Sequence, residues 1–311
     1  MRIERVDLTD AQGIRGCDEA FLAAQRADCP EGPRLTGTPF RGWLTIGWGG
    51  DPWEAWLVAG QAGKPAERPV RGWSRLELPE RDNQDRADLD LVVHPEEKAP
   101  RARHRPAAAH GGTRGGARRS VISGTARNGT RGRLSPAQPG RNSEWWRSSM
   151  LELGKLADGR LAGLREQAER AAAGYSLVSW TGPVPDDFIE RAAALYVALS
   201  NAPHDAGEAP EVWDAQRVRE LNDRRPHYGT RDYSVAAVKG GRATGKLAAL
   251  TEVVLDPADA GWGHQAITAV TRQHRGHRLG LLVKVAMLEL VAAAEPQLER
   301  IVTWNGETNR T

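Results

Sequence analysis

The stretch Val270-Thr271-Arg272-Gln273-His274-Arg275-Gly276-His277-Arg278-Leu279-Gly280 decides the fold, and it continues into Leu281, Leu282, Val283 and Lys284. Its first residue ends an apolar run, Gln265 to Val270, that reads as a strand. Its last residues open a long apolar run, Leu279 to Ala294, that reads as a helix. A strand that turns through Gly276 and Gly280 into a helix brings several backbone N–H groups together at the helix N-terminus. Unpaired amides and the helix dipole favour an anion such as a diphosphate there, and Arg275 and Arg278 would add charge-assisted contacts.

Upstream of this corner, Tyr233 to Val238 and Leu247 to Leu255 read as strands, and Tyr175 to Trp180 as an earlier one. Helices are expected from Asp186 to about Leu199, with Asp186, Asp187 and Glu190 in the first turn, and over Val212 to Arg224. A strand from Arg300 to Trp304 follows the long helix. Leu161 to Ala173 reads as a helix lying between two lobes.

The first hundred residues carry a similar order. Arg2 to Leu8 alternates as a strand, and Ala11 to Arg26 places Ile14, Cys17, Ala20, Phe21 and Ala24 near helical spacing. Trp53 to Val58, Val70 to Leu78 and Ala87 to Val93 are successive strands. Val93-His94-Pro95 then stands where the second half has Val270-Thr271-Arg272, so a duplicated domain is the simplest account.

Arg275-Gly276-His277-Arg278-Leu279-Gly280 resembles the coenzyme-A loop of the GNAT acyltransferases, Arg (or Gln)-x-x-Gly-x-Gly (or Ala), with Arg278 in place of the middle glycine. Trp262-Gly263-His264-Gln265 and Ile301-Val302-Thr303-Trp304-Asn305 also resemble the tandem actinobacterial members of that family, similar in layout to mycothiol synthase. The likeness runs over about Met1 to Pro95 and Leu151 to Thr311. It implies an α/β fold of two tandem GNAT-like lobes, each a mixed, mainly antiparallel sheet flanked by helices. Expected divisions are 1–150 for the first lobe, 151–174 for a linker helix and 175–311 for the second lobe.

The resemblance further implies acyl transfer from acetyl-CoA to an amine of a small molecule or peptide. It assigns Thr268, Ala269 and Val270 to the pantetheine arm and thioester carbonyl. Gly276, His277, Arg278, Leu279 and Gly280 fall to the diphosphate, with Arg275 beside them, and Asn309 to the pantetheine. Glu252, in the strand before Thr268, is a candidate general base for the amine, although a satisfied strand carboxylate is the commoner use of such a residue.

Both lobes depart from the family pattern. After Pro95 the first offers Glu96-Glu97-Lys98-Ala99-Pro100-Arg101, with Pro100 and Pro106 where a helix should run. Residues 99–119 and 131–149 are rich in Arg, Ala, Gly, Pro, His and Ser, without apolar periodicity, and read as disordered; Ser120 to Ala126 between them reads as a strand. Such loss and recovery of pattern is what a shifted reading frame in GC-rich coding DNA would give, and resequencing the gene would settle it. Beyond Trp304 the second lobe lacks the helix and strands the family adds, which predicts an unpaired sheet edge and no tyrosine proton donor.

Charge gives a further division. The chain carries +3 overall, yet residues 101–150 hold eleven Arg against Glu144 alone, so the rest is at −7. The Arg-rich part alone would suffice for sequence-independent phosphate binding, but it has no lysine and no regular aromatic spacing, which argues against a nucleic-acid surface. Met1 to Thr9 is not a secretory signal, no window reaches the roughly 18 apolar residues of a membrane helix, and Cys17 and Cys29 form no disulfide framework. A cytoplasmic protein is expected. Gly240-Gly241-Arg242-Ala243-Thr244-Gly245-Lys246-Leu247 nearly spells a phosphate-binding P-loop, but Leu247 replaces the required Ser or Thr and the stretch joins two strands, so a hairpin is expected. His274 and His277 have no further ligand at metal spacing and read as solvated loop histidines.

Overall fold

Helix α1, Ala11–Asp28, forms as its periodicity requires: Ile14, Cys17, Ala20, Phe21 and Ala24 are all buried, and the Asp10 carboxylate caps its first turn by accepting from the Gln12 amide. The computed structural model describes residues 2–47, 49–60, 69–97, 121–126, 146–156, 159–200, 209–242 and 244–306. They belong to two compact units, Met1–Pro139 and Gly140–Thr311.

In the first unit, β1 (Arg2–Arg5), β2 (Trp53–Ala59), β3 (Val70–Glu77), β4 (Arg86–Val93) and β5 (Val121–Ala126) lie in the order β1-β2-β3-β4-β5. Neighbours are antiparallel except β4 and β5, which are parallel. Helix α2, Gly37–Ile46, escapes the sequence reading because Gly37, Pro39 and Gly42 disguise it. Phe40, Trp43 and Leu44, at helical spacing, are the signal that finds it. Phe40 and Trp43 pack with Phe21 and Trp73, ring centroids 5.4 to 5.9 Å apart, each such pair adding about 0.5–1.5 kcal/mol beyond its buried area. Trp73 Nε1 donates to the Cys17 carbonyl at 2.9 Å, and burial pushes the Cys17 thiol up to about 12, so this cysteine is a core residue and not a reactive one.

The second unit holds β6 (Trp146–Glu152), α3 (Arg160–Ala171), β7 (Tyr175–Thr181), α4 (Ile189–Ser200), α5 (Ala215–Arg224), β8 (Arg231–Lys239), β9 (Lys246–Leu255), β10 (Trp262–Val270), α6 (Leu279–Ala294) and β11 (Arg300–Gly306). The sheet order is β6-β11-β10-β9-β8-β7, with β10 and β11 the parallel pair. Strand β8 is buried on both faces: Tyr233, Val235 and Ala237 meet α3 and α6, whereas Ala236 and Val238 meet α4 and α5. The Gly240 to Lys246 stretch is the turn of the β8–β9 hairpin. Past the end of α6, the buried Glu295 carboxylate accepts from Arg231 Nε at 2.5 Å and Nη2 at 2.7 Å and from the Tyr233 hydroxyl at 2.6 Å. Those bonds, Arg231 first, hold its carboxyl below the usual range.

Three expectations need correction. The edge of β11 is not bare, because β6 pairs with it antiparallel along its whole length, from Arg300 opposite Glu152 to Gly306 opposite Trp146. Residues 146–149, placed by composition in a disordered stretch, therefore form a strand; the other Arg-rich residues lie outside those described. The supposed linker helix is α3, whose Ala168 joins the α6 core, so 151–174 belong to the second unit. Among the described residues no helix is long and apolar enough to cross a membrane.

Candidate functional site

Strand β10 pairs with β9 as far as Val270, opposite Ala249, but it meets β11 at three positions only, Trp262–Arg300, Gly263–Ile301 and His264–Val302. Beyond these β10 continues to Val270 while β11 stays with β6, so the two parallel strands part. A bulge marks the fork: Gln265 faces Val253 and Ile267 faces Glu252, which leaves Ala266 as an extra residue that raises the local twist. The Thr271 amide donates to the Ala248 carbonyl at 2.9 Å. Antiparallel alternation then turns the main-chain groups of Val270 and Thr268 away from β9 and into the fork. The Thr268 hydroxyl is fixed by a 2.8 Å hydrogen bond to that of Thr251.

From Thr271 a short 3-10 turn, Arg272–His274, leads to Gly276 at φ +84° and Arg278 at φ +51°. Glycine adopts both conformations freely, whereas arginine at φ +51° costs on the order of 1 kcal/mol. This accounts for the glycine that the resembling loops carry at the Arg278 position. The first backbone bond inside α6 runs from the Leu282 amide to the Arg278 carbonyl. The amides of Leu279, Gly280 and Leu281 precede it, and among the described residues no side chain caps them. Leu279 is buried and anchors the corner, while Arg272, Arg275, Gly276, His277 and Arg278 are exposed. The corner is thus open, cationic and lined with donors.

His274 is not simply solvated. Its Nδ1 lies 2.9 Å from the Tyr175 hydroxyl at the start of β7, and Lys239 Nζ sits 4.5 Å from the Tyr175 ring centroid. Partial burial, then the charges of His277, Lys239 and Lys246, hold the His274 imidazole below its ordinary pKa.

On the α4 and α5 side of the sheet lies a buried ionic cluster that sequence reading missed. Arg225 Nη1 donates to Asp232 Oδ2 at 2.6 Å and Nη2 to Glu252 Oε2 at 2.7 Å. Burial alone would lower the Arg225 pKa, but Glu252 and Asp232 raise it. Burial, then the Glu252 charge, pushes the Tyr196 hydroxyl up. Glu252, the candidate general base, is thus ion-paired to Arg225 within this cluster. Nothing in the local sequence marks Arg225, which meets partners 7 and 27 residues away. Asn309 lies outside the described residues, and among those described no group of three His, Cys, Asp or Glu side chains could hold a metal ion.

Two units repeating one strand order, each with a single parallel pair, and an open helix N-terminus beside the fork of the second, define the tandem GNAT fold. Among solved structures the chain is similar to a tandem GNAT protein from the clavulanic acid biosynthesis pathway, determined without acetyl-CoA. The two are 24% identical with a TM-score of 0.69, covering 99% of this chain and 91% of that one. A GCN5-related N-acetyltransferase from Sphaerobacter thermophilus is also similar, at 15% identity and a TM-score of 0.44, over 100% of this chain and 88% of that one. No protein-family model and no curated protein matches the sequence.

Proposed function

We propose that the second unit binds acetyl-CoA and that the protein transfers its acyl group to an amine of a small molecule or peptide. The observation that carries this reading is the fork: β10 and β11 part after His264 and Val302, beside the uncapped amides of α6. Leu279, Gly280 and Leu281 amides, with Arg275 and Arg278, would hold the diphosphate. The edge of Thr268, Ala269 and Val270 would hold the pantetheine arm, and its free amides would stabilise the thioester oxygen as the amine attacks. Acetyl-CoA supplies the thioester; its carbonyl carbon gains the C–N bond, the C–S bond breaks, and the proton lost from the amine nitrogen is balanced by one taken up by the leaving thiolate, which departs as the free CoA thiol. Both cysteines are free, Cys17 buried and Cys29 exposed, which suits a reducing cytoplasm.

One observation favours a second reading. Glu252 is ion-paired to Arg225, so the fork could hold the cofactor with no unpaired carboxylate at that position, as in a binding protein without turnover. Calorimetry and a thermal-shift series with CoA and acetyl-CoA, followed by thiol-release assays over a panel of primary amines, separate the two. Saturable binding with thiol release supports the transferase, and binding without release at any pH or amine supports the second reading. No response to either ligand would remove both.

A further inference from the structure

A bulge leaves ladder groups without their usual partners, and buried backbone carbonyls are costly when unpaired. At the fork of β10 one side chain adds bonds to both strands beside the bulge. Gln265 Nε2 lies 2.7 Å from the Glu252 carbonyl, 2.8 Å from the Ile267 carbonyl and 2.9 Å from Thr251 Oγ1. Its two N–H groups thus serve both strands flanking the bulge, one of them shared. Thr251 passes the constraint on, since its hydroxyl is bonded to that of Thr268 at 2.8 Å. The backbone carbonyl of Gln265 also accepts from Thr303 Oγ1 at 3.4 Å, a contact with β11 just beyond the point where the strands stop pairing. One residue therefore ties β9, the bulge and β11 together where the sheet opens.

We propose that Gln265 is the positioning residue of the fork: its carboxamide braces β9 against β10 on either side of the bulge at Ala266 and so fixes the Thr268–Val270 edge against which the pantetheine arm would lie. The inference rests on the cofactor reading given above. It predicts that Gln265 governs the half of the ligand lying in the fork and leaves the half at the α6 N-terminus alone, because no hydrogen bond of Gln265 reaches Thr271 to Gly280.

The test compares CoA with ADP, which carries the diphosphate and no pantetheine, by calorimetry on the full chain. Gln265→Glu keeps the size and removes both donors; Gln265→Met removes them without adding charge, and serves if the first variant does not fold. In wild type CoA should bind more tightly than ADP. In either variant CoA affinity should fall at least tenfold toward that of ADP, ADP affinity should change less than twofold, and amide exchange should quicken over Ile267 to Val270 but not in α6. An unchanged ratio of CoA to ADP affinity, or an equal loss of both, overturns the role of Gln265 while leaving the cofactor reading standing. A wild-type chain that binds neither ligand overturns both.

Discussion

The two units share a strand order and differ in one seam. In the first, β3 and β4 pair without a bulge from Gly72–Val93 to Glu77–Asp88, and β4 and β5 pair at every residue of β5, up to Leu91–Ala126. In the second, the matching parallel pair opens after three positions. The buried charge reverses as well. Counting back from Val93 and from Val270, Arg75 of β3 occupies the place of Glu252 in β9. Arg75 is 2% exposed, paired to Glu77 at 2.7 Å and lying 5.9 and 5.7 Å from the ring centroids of Trp43 and Trp53. Gly47, at φ +71°, makes room for it, since a Cβ there would stand 2.1 Å from Arg75 Nη2. The first unit fills with a guanidinium and two indoles the region where the second keeps an ion pair behind an open fork. A shared topology does not make a shared site; a bulge and its register do.

The largest expected effect sets the two arginines against each other. Arg225→Met leaves Asp232 and Glu252 buried with no countercharge and should cost about 3–5 kcal/mol, read as hydrogen-exchange free energies in β8 and β9. Arg75→Met leaves Glu77, which is less deeply buried and already shifted toward its neutral form by burial, and the partly exposed Asp90 at 3.9 Å, and should cost about 1–2 kcal/mol in β3. Equal losses would mean that the two buried charges are equivalent and the contrast between the units is false.

Ligand stoichiometry comes next. Calorimetry should give one CoA per chain, and at a hundredfold excess over its dissociation constant the second unit should gain about 2.7 kcal/mol while the first gains nothing. Two equivalents would show that the zipped β4–β5 seam also opens.

The smallest effect concerns the αL residue of the loop. Arg278→Gly relieves its left-handed strain and should raise the stability of the second unit by about 1 kcal/mol, while weakening CoA binding through the lost cation. Thermal melts and calorimetry on one sample check both signs, and a destabilised variant would mean that the arginine side chain, not the amide cradle, holds the corner together.

Much of this contrast was legible in the sequence, and the reasons are physical. Helix α6 runs from Leu279 to Ala294 as its apolar text implies, and β7, β8 and β9 fall where alternating and continuous apolar runs put them. These features are local. Strand β6 was not legible, because Trp146 to Glu152 becomes a strand only by pairing with β11, about 150 positions later, and its first residues sit in Arg-rich text. The bulge at Ala266, the partners of Gln265 and the ion pair of Glu252 were hidden for the same reason: register between strands decides them, and no single strand records its register. The corner at Gly276 could be read because its strand, turn and helix are contiguous.

The pairing of β6 with β11 also sets an order of events. Of this second sheet, β6 leaves the ribosome first and finds its neighbour last, after every helix and strand between them has been made, so the contact closes a very long loop. Until then β11's future partner is an orphan strand. Any fragment begun at Tyr175 would lack it altogether and present the bare β11 backbone to other copies, an invitation to aggregate that a fragment begun before Trp146 avoids.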